Sequence, residues 1–351
     1  MTKVRLPAEW EPQSGIMLTW PHPDTDWAPL LEEAEGVFVR IGTAVSETQQ
    51  LLSVCRDQVH MAHARSLLER AGAVPGNLCF ALADSDDTWA RDHAPITTLD
   101  SEGRPLLHDF VFDGWGRKFD ATLDTRINRT LHAQGVFGDA GMRSHTLVLE
   151  GGALESDGAG TLLATRSSVL DRIRNPDWDV PQIEDHLREQ LGIQRFLWLD
   201  HGELSGDDTD AHVDVLARFT DTGTIVYSTA PADDTDGPAL AAMEDQLRGL
   251  RTAEGQPYRL RPLPFPGVHR DEDGRRLPAS YANFLICNQA VLLPVYGVAA
   301  DAEAVRVLQE CLPGHAIKAI DCRTVIKQNG SLHCLTMQFP RAVKLCAGSE
   351  N

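Results

Sequence analysis

The feature that most limits what this chain can fold into is a rhythm of short apolar runs alternating with amphipathic stretches. "GIMLTW" leads through residues 28–46 to "QLLSVC", and "GTLLAT" leads through "PQIEDHLREQLG" to "QRFLWLD". "GTIVYST" leads through "PALAAMEDQLRGL" to "YRLRPL", and "NFLICNQAVLLPVYG" leads through "DAEAVRVLQECL" to "HAIKAID". Each amphipathic stretch repeats apolar residues at i, i+3/i+4 and i+7, a helical spacing, while the flanking runs are β-branched and short. Pro181 and Pro238 stand near predicted helix starts, where the missing N–H costs nothing. Gly192 and Gly314 follow predicted helix ends, where a left-handed cap suits glycine. A strand–helix–strand unit repeated this way predicts an α/β array closed around an axis, with a doubly wound open sheet as the alternative. No G-x-G-x-x-G follows a strand, so a dinucleotide fold finds no support.

The 351 residues are enough for a substantial core, and no linker splits them, so a single domain over 1–351 is expected. The formal net charge of −19 disfavours nucleic acid and anionic membranes and favours cationic ligands. No apolar run approaches the roughly 18 residues of a membrane helix. The opening "MTKVRLPAEWEP" has no apolar signal region. Seven cysteines are scattered without a C-x-x-C pair, which suggests reduced thiols and a cytoplasmic location.

Polar clusters abut the apolar runs. "DDTWARDHAP" (86–95) gathers acids around Trp89, and "FDGWGRKFD" (112–120) sets Trp115 between two glycines. "LVLEGGALESDGAGT" (147–161) ends an apolar strand in Glu150 and a Gly-Gly turn. "GDDTDAHVD" (206–214) puts His212 two residues before Asp214, on one face if that segment is extended. "QNGSLHCLTMQFP" (328–340) sets Cys334 after a glycine-bearing turn. Taken singly, these are solvated turns, a structural histidine and a buried thiol. Taken together, a cysteine, a histidine and several carboxylates at strand edges are what a nucleophilic site requires. Zinc spacings are missing, the D-x-D run lacks the glycine and distal glutamate of a calcium loop, and no G-x-S-x-G occurs, so neither a metal nor a serine hydrolase is expected.

In this order, "DTWARDHAP", "FDGWG", "LEGGALESDGAGT", "GDDTDAHVD", "ASYANF" and "NGSLHCLTMQFP" resemble the signature blocks of the agmatine deiminases. These belong to the guanidino-group-modifying superfamily, the penteins. The resemblance runs from about residue 6 to 340 and implies one domain of five pseudo-repeated units, a five-bladed α/β propeller with a central active site. It implies hydrolysis of agmatine to N-carbamoylputrescine and ammonia, in putrescine synthesis, without a cofactor. By position it assigns Cys334 as nucleophile, His212 as general acid/base, Asp92 and Asp214 as the guanidinium clamp, and Glu150 as the residue that orients His212. Asp208 would face the substrate's amine, while Trp89 and Trp115 would either wall its methylenes or belong to the core.

Asn329 and Ser331 stand where the family commonly has glycines, Ala211 replaces a glycine before the histidine, and Glu155 replaces a histidine. All four are expected to line the mouth of the site. His333, next to the nucleophile, is expected to point to the opposite strand face as a structural residue. A deiminase of free or peptidyl arginine, an amidinotransferase and a non-catalytic binding module are the alternatives. Peptidyl arginine is disfavoured by the absence of a secretory start and an extra domain. Oligomeric state is left open.

Overall fold

The computed structural model describes residues 4–346. Among the described residues the strands pair into six sheets, five of them on one plan, in which an antiparallel pair is followed by a parallel partner reached through a helix. These residues form two compact units, residues 11–151 with 334–346 and residues 5–10 with 152–333.

The first unit holds two of the sheets. In one, Met337–Pro340 pairs antiparallel with Gln13–Thr19, which pairs parallel with Gln50–Cys55, and that in turn with Leu78–Leu82. The helix Leu31–Ser46 makes the first crossover, one turn of 3₁₀ helix (Ala28–Leu30) later than the sequence pattern begins. In the other sheet, Ile96–Leu99, Pro105–Val111 and Gly141–Val148 repeat the plan around the short helix Ile127–Ala133. Met17, Leu52, Val54, Leu107, Phe137 and Phe339 lie in one core cluster of this unit.

The second unit holds the other three sheets of this plan. Their strands are Glu155–Ser156, Thr161–Thr165 and Arg195–Leu199; Ala217–Asp221, Thr224–Tyr227 and Arg259–Pro262; and Leu285–Ile286, Ala290–Val295 and Ala316–Asp321. The helices Val180–Leu191, Gly237–Gly249 and Ala300–Cys311 make the crossovers. Thr161–Thr165 and Thr224–Tyr227 are buried throughout, as a strand covered on both faces must be. A small hairpin, His269–Arg270 with Arg276–Leu277, is added to this unit.

Several local expectations hold. Pro181 and Pro238 lie in the first turns of their helices, and Gly192 is a left-handed cap at φ 73°. Gly314 is not, because the last helix ends at Cys311 with Leu312 as its cap. The run "NFLICNQAVLLPVYG" is a hairpin of two strands, turned at 287–289, rather than one strand. The scattered thiols include one bonded pair, Cys79 and Cys346, whose Cα atoms are 6.3 Å apart. Among the described residues no helix is long and apolar enough to cross a membrane.

Candidate active site

Of the residues singled out in the sequence, Trp89, Asp92, Trp115, Glu150 and Cys334 lie in the first unit, and Asp208, His212 and Asp214 in the second.

In the first unit the "DDTWARD" loop is fixed from below by Asp124, whose carboxylate accepts the N–H groups of Asp86 (2.7 Å) and Asp87 (3.2 Å). Asp87 in turn accepts the Trp89 indole N–H at 2.9 Å, and the Trp27 indole donates to Thr88 Oγ1 at 2.9 Å. Burial pushes the Asp87 carboxyl up to about 7 against the pull of the Trp89 hydrogen bond, with Asp26 adding repulsion. Asp92 follows on a single buried helical turn, Ala90–His93.

Trp115 donates its indole N–H to Asp92 Oδ2 at 2.9 Å, and the Trp89 and Trp115 rings meet edge to face at 6.3 Å. Both tryptophans are buried. Trp115 therefore anchors a proposed catalytic carboxylate as well as packing in an aromatic cluster.

The backbone around Trp115 explains its flanking glycines. Residues 114–117 all have positive φ (71°, 58°, 79° and 67°) and form a left-handed turn closed by Arg117 N–H to Asp113 O at 3.0 Å. Such a turn costs roughly 1–2 kcal/mol for each residue with a Cβ, so alternate glycines limit the strain. At Gly114 a Cβ would also collide with the Phe119 carbonyl.

Glu150 is buried just beyond the strand Gly141–Val148, and the next residue, Gly151, packs against the Arg91 carbonyl so closely that a Cβ would collide with it. The glutamate and Asp92 segments are thus pressed together through a contact that only glycine permits. Cys334 is buried in a 3₁₀ turn, His333–Leu335, immediately before the strand Met337–Pro340.

In the second unit the "GDDTDAHVD" loop is shaped by two of its own acids. Asp207 accepts Thr209 Oγ1 at 2.7 Å and Ala211 N–H at 2.8 Å, while Asp210 pairs with the buried Arg174 at 2.7 Å. The segment is not extended. His212 caps a 3₁₀ turn, Val213–Val215, which carries Asp214, because Asp210 and Ala211 are both left-handed at φ 66° and turn the chain.

Asp208 is the acid of this group that reaches Asn329, whose side-chain amide donates to Asp208 Oδ2 at 2.7 Å. Asn329 is itself left-handed (φ 67°), which explains how it replaces a glycine. Its Oδ1 accepts from Arg275, which also pairs with Asp271 at 2.8 Å.

Two expectations need correction. Glu155 does not line a mouth. It is buried in an ion pair with Arg218 (2.5 Å) and also accepts Phe219 N–H at 2.9 Å. Burial and the nearby Glu9 push its carboxyl up to about 7 against the attraction of Arg218. His333 does not sit on a strand face. Its Nδ1 is 2.7 Å from Asp214 Oδ2 and its Nε2 is 2.7 Å from Glu9 Oε2.

Sequence reasoning missed Glu9 and Arg218. A glutamate in the opening "PAEWEP" and an arginine inside an apolar strand were the only signals. Burial raises the Asp214 carboxyl, but the His333 hydrogen bond and the charges of His333, His212 and Arg218 hold it below the ordinary carboxylate range. Among the described residues no group of three or more His, Cys, Asp or Glu side chains is placed to hold a metal ion.

These sheets have the α/β pentein fold of the deiminases, and the chain belongs to the Porphyromonas-type peptidyl-arginine deiminase family, whose profile matches residues 5–340. Within that family it is similar to an agmatine deiminase of Stutzerimonas stutzeri, 31% identical over 95% of each chain. A C. jejuni agmatine deiminase solved with substrate bound is 32% identical over 97% of each chain, with a TM-score of 0.89. A Porphyromonas gingivalis protein, solved as a candidate arginine deiminase, is 46% identical over 97% of this chain and 99% of its own, also with a TM-score of 0.89.

Proposed function

We propose that this protein is a cysteine-dependent hydrolase that converts agmatine to N-carbamoylputrescine and ammonia, as a step toward putrescine. The observation that carries the reading is the likeness to the substrate-bound C. jejuni agmatine deiminase over 97% of the chain. The acidity of the chain, −19 formally, supports a cationic substrate. In this reading the five sheets are the blades of a single propeller domain of the cytoplasm.

A guanidinium carbon is shielded by resonance and by charge, so water attacks it poorly and a thiolate attacks it well. Asp92 and Asp214 match the planar N–H fork of the substrate and keep it protonated. The Cys334 sulfur adds to the guanidinium carbon, and ammonia leaves with a proton from His212, which Glu150 orients. The remaining S-linked amidino group is attacked by water as His212 takes a proton back. The C–S bond then breaks, returning the Cys334 thiolate and releasing the ureido product. No cofactor enters this scheme.

The P. gingivalis relative, at 46% identity, favours arginine as the second reading. Asp208 argues for agmatine, since an acid that attracts the substrate's ammonium would repel a carboxylate there. A unit charge pair at 4 Å is worth about 4 kcal/mol at an effective dielectric near 20, and a fraction of that gives tenfold selectivity. Ureido product and ammonia should be measured side by side on agmatine, arginine and an arginyl peptide. Agmatine should dominate, Cys334→Ala should abolish turnover without unfolding, and a quenched wild-type reaction should carry its adduct on Cys334. Equal kcat/KM for arginine would refute the substrate.

A further inference from the structure

We infer that His333 is held as a buried imidazolium between Glu9 and Asp214 and acts as the positioning residue for Asp214. The inference rests on the proposed role of Asp214 in holding the guanidinium. Its geometry lies within the second unit, where His333 Nδ1 and Nε2 are each 2.7 Å from a carboxylate oxygen.

The protons can be counted. A neutral imidazole has one N–H and one lone pair, so between two ionised carboxylates one nitrogen would face an oxygen without a hydrogen. A carboxyl would have to supply that hydrogen, and Glu9 is unsuited to do so. Its Oε2 is ion-paired with Arg218 Nη2 at 3.0 Å, and its Oε1 accepts the Ile286 N–H at 2.7 Å, so a cation and an N–H donor both favour the ionised carboxylate. Asp214 is unsuited as well, because in the role on which the inference rests it holds the guanidinium as an ionised carboxylate. Both ring nitrogens of His333 must then be donors.

The charges agree with this count. Glu9 and Asp214 are buried carboxylates that share the one guanidinium of Arg218 with Glu155, whose own carboxyl is pushed up to about 7, so Arg218 alone would leave a buried negative charge uncompensated. The other titratable groups near this pair are His212 on Asp214's own turn, Arg218 and Glu155 on neighbouring strands, and Cys287 beside Glu9. Placement is rigid too. Asn283 accepts the His333 backbone N–H on its Oδ1 at 2.9 Å and donates from Nδ2 to the Asp214 carbonyl at 3.4 Å. The "ASYANF" block therefore fixes the backbones at both ends of the His333–Asp214 bond.

The test is nitrogen-resolved NMR of the histidine rings in ¹⁵N-labelled full-length protein between pH 6 and 9, with the His333 signal assigned by its loss in His333→Gln. Both ring nitrogens should stay protonated at pH 8, well above the ordinary histidine value of about 6.5. In Glu9→Gln the ring should lose its second proton at lower pH. A neutral ring with one N–H in the wild type at pH 7 overturns the inference.

Kinetics supply the second readout. His333→Asn keeps a donor near the Nδ1 position, whereas His333→Gln carries its donor toward Glu9. Asn should therefore retain most of kcat/KM while Gln loses about 100-fold, as a misplaced reacting group does. In both variants the acid limb of the kcat/KM profile should move to higher pH, because Asp214 has lost a positive neighbour. An equal loss at every pH would mean a merely structural role and overturn the inference. The NMR result needs no substrate, so a wild type inactive on agmatine would refute the proposed substrate and leave the imidazolium standing.

Discussion

Gly151→Ala should disable the enzyme by way of geometry alone. Gly151 follows Glu150, and a Cβ there would press on the carbonyl of Arg91, the residue before Asp92. The glycine does not have positive φ, so alanine suits its backbone, and taken alone it would stabilise by about 0.4–1 kcal/mol through the unfolded chain. Every loss therefore comes from the collision. The Met337 methyl, also close, is the end of a flexible side chain and can turn away; the Arg91 carbonyl is backbone and cannot. Restoring an ordinary contact moves the Glu150 and Asp92 segments apart by roughly 1 Å, a misplacement that costs on the order of 100-fold in rate. Overpacking of this kind costs about 1–3 kcal/mol in stability. The assay is release of ureido product from agmatine, with thermal unfolding followed in parallel. Gly76→Ala serves as the control, since a Cβ there meets nothing within 4 Å. A Gly151→Ala protein with the parent's kcat/KM would refute the reasoning even if it melted earlier, because the spacing of the two carboxylate segments would then not matter.

Other outcomes follow from the same geometry. Asn329→Gly keeps the left-handed backbone but removes the donor to Asp208, and should raise KM for agmatine about fivefold, the worth of one ~1 kcal/mol hydrogen bond, with kcat little changed; an unchanged KM would remove Asp208 from the amine end. Ala211→Gly should stabilise by about 1 kcal/mol by relieving a left-handed residue with a Cβ, measured by chemical denaturation, and a lower midpoint would contradict the strain. Asp87 is pushed up to about 7 by burial, so between pH 4 and 7 the unfolded chain releases its proton first and the fold loses stability as pH rises. Asp87→Asn should remove that slope, worth at most about 4 kcal/mol, and parallel pH–stability curves for the two proteins would refute the shift.

Much of this fold was legible because the parallel strands are buried on both faces and read as continuous apolar runs. Thr161–Thr165 and Thr224–Tyr227 are of this kind, and the amphipathic stretch from 181 to 192 matches the helix Val180–Leu191 to within one residue at each end. The sheet that escaped notice has a seven-residue helix, Ile127–Ala133, too short to show two turns of periodicity, and a strand, Gly141–Val148, whose first six residues are exposed or half-buried. The proposed site was legible as blocks, since Asp92, Glu150, His212 and Cys334 each sit in a short polar signature. Their supports were not. Glu9 and His333 are 324 residues apart in sequence, and no spacing rule connects them. Arg218 looks like an ordinary strand charge until the fold buries it between two glutamates.

Strain gives independent reason to regard these blocks as functional. Among the described residues six that are not glycine have positive φ: Trp115, Arg117, Asp210, Ala211, Asn329 and Cys346. Four of the first five fall in signature blocks and Arg117 directly follows one: Trp115 is the partner of Asp92, Asp210 and Ala211 immediately precede His212, and Asn329 is five residues before Cys334. A left-handed residue with a Cβ costs roughly 1–2 kcal/mol, less for asparagine and aspartate, and persists only where surrounding contacts over-determine it. Here those contacts are visible. Asp113 caps the Gly116 N–H at 2.8 Å, Asp207 holds the Ala211 N–H at 2.8 Å, and Arg275 and Asp208 hold the two ends of the Asn329 side chain. Carboxylates that tie down the backbone thus lie beside those proposed to hold the substrate, which is why the polar clusters are richer in acid than the chemistry alone requires.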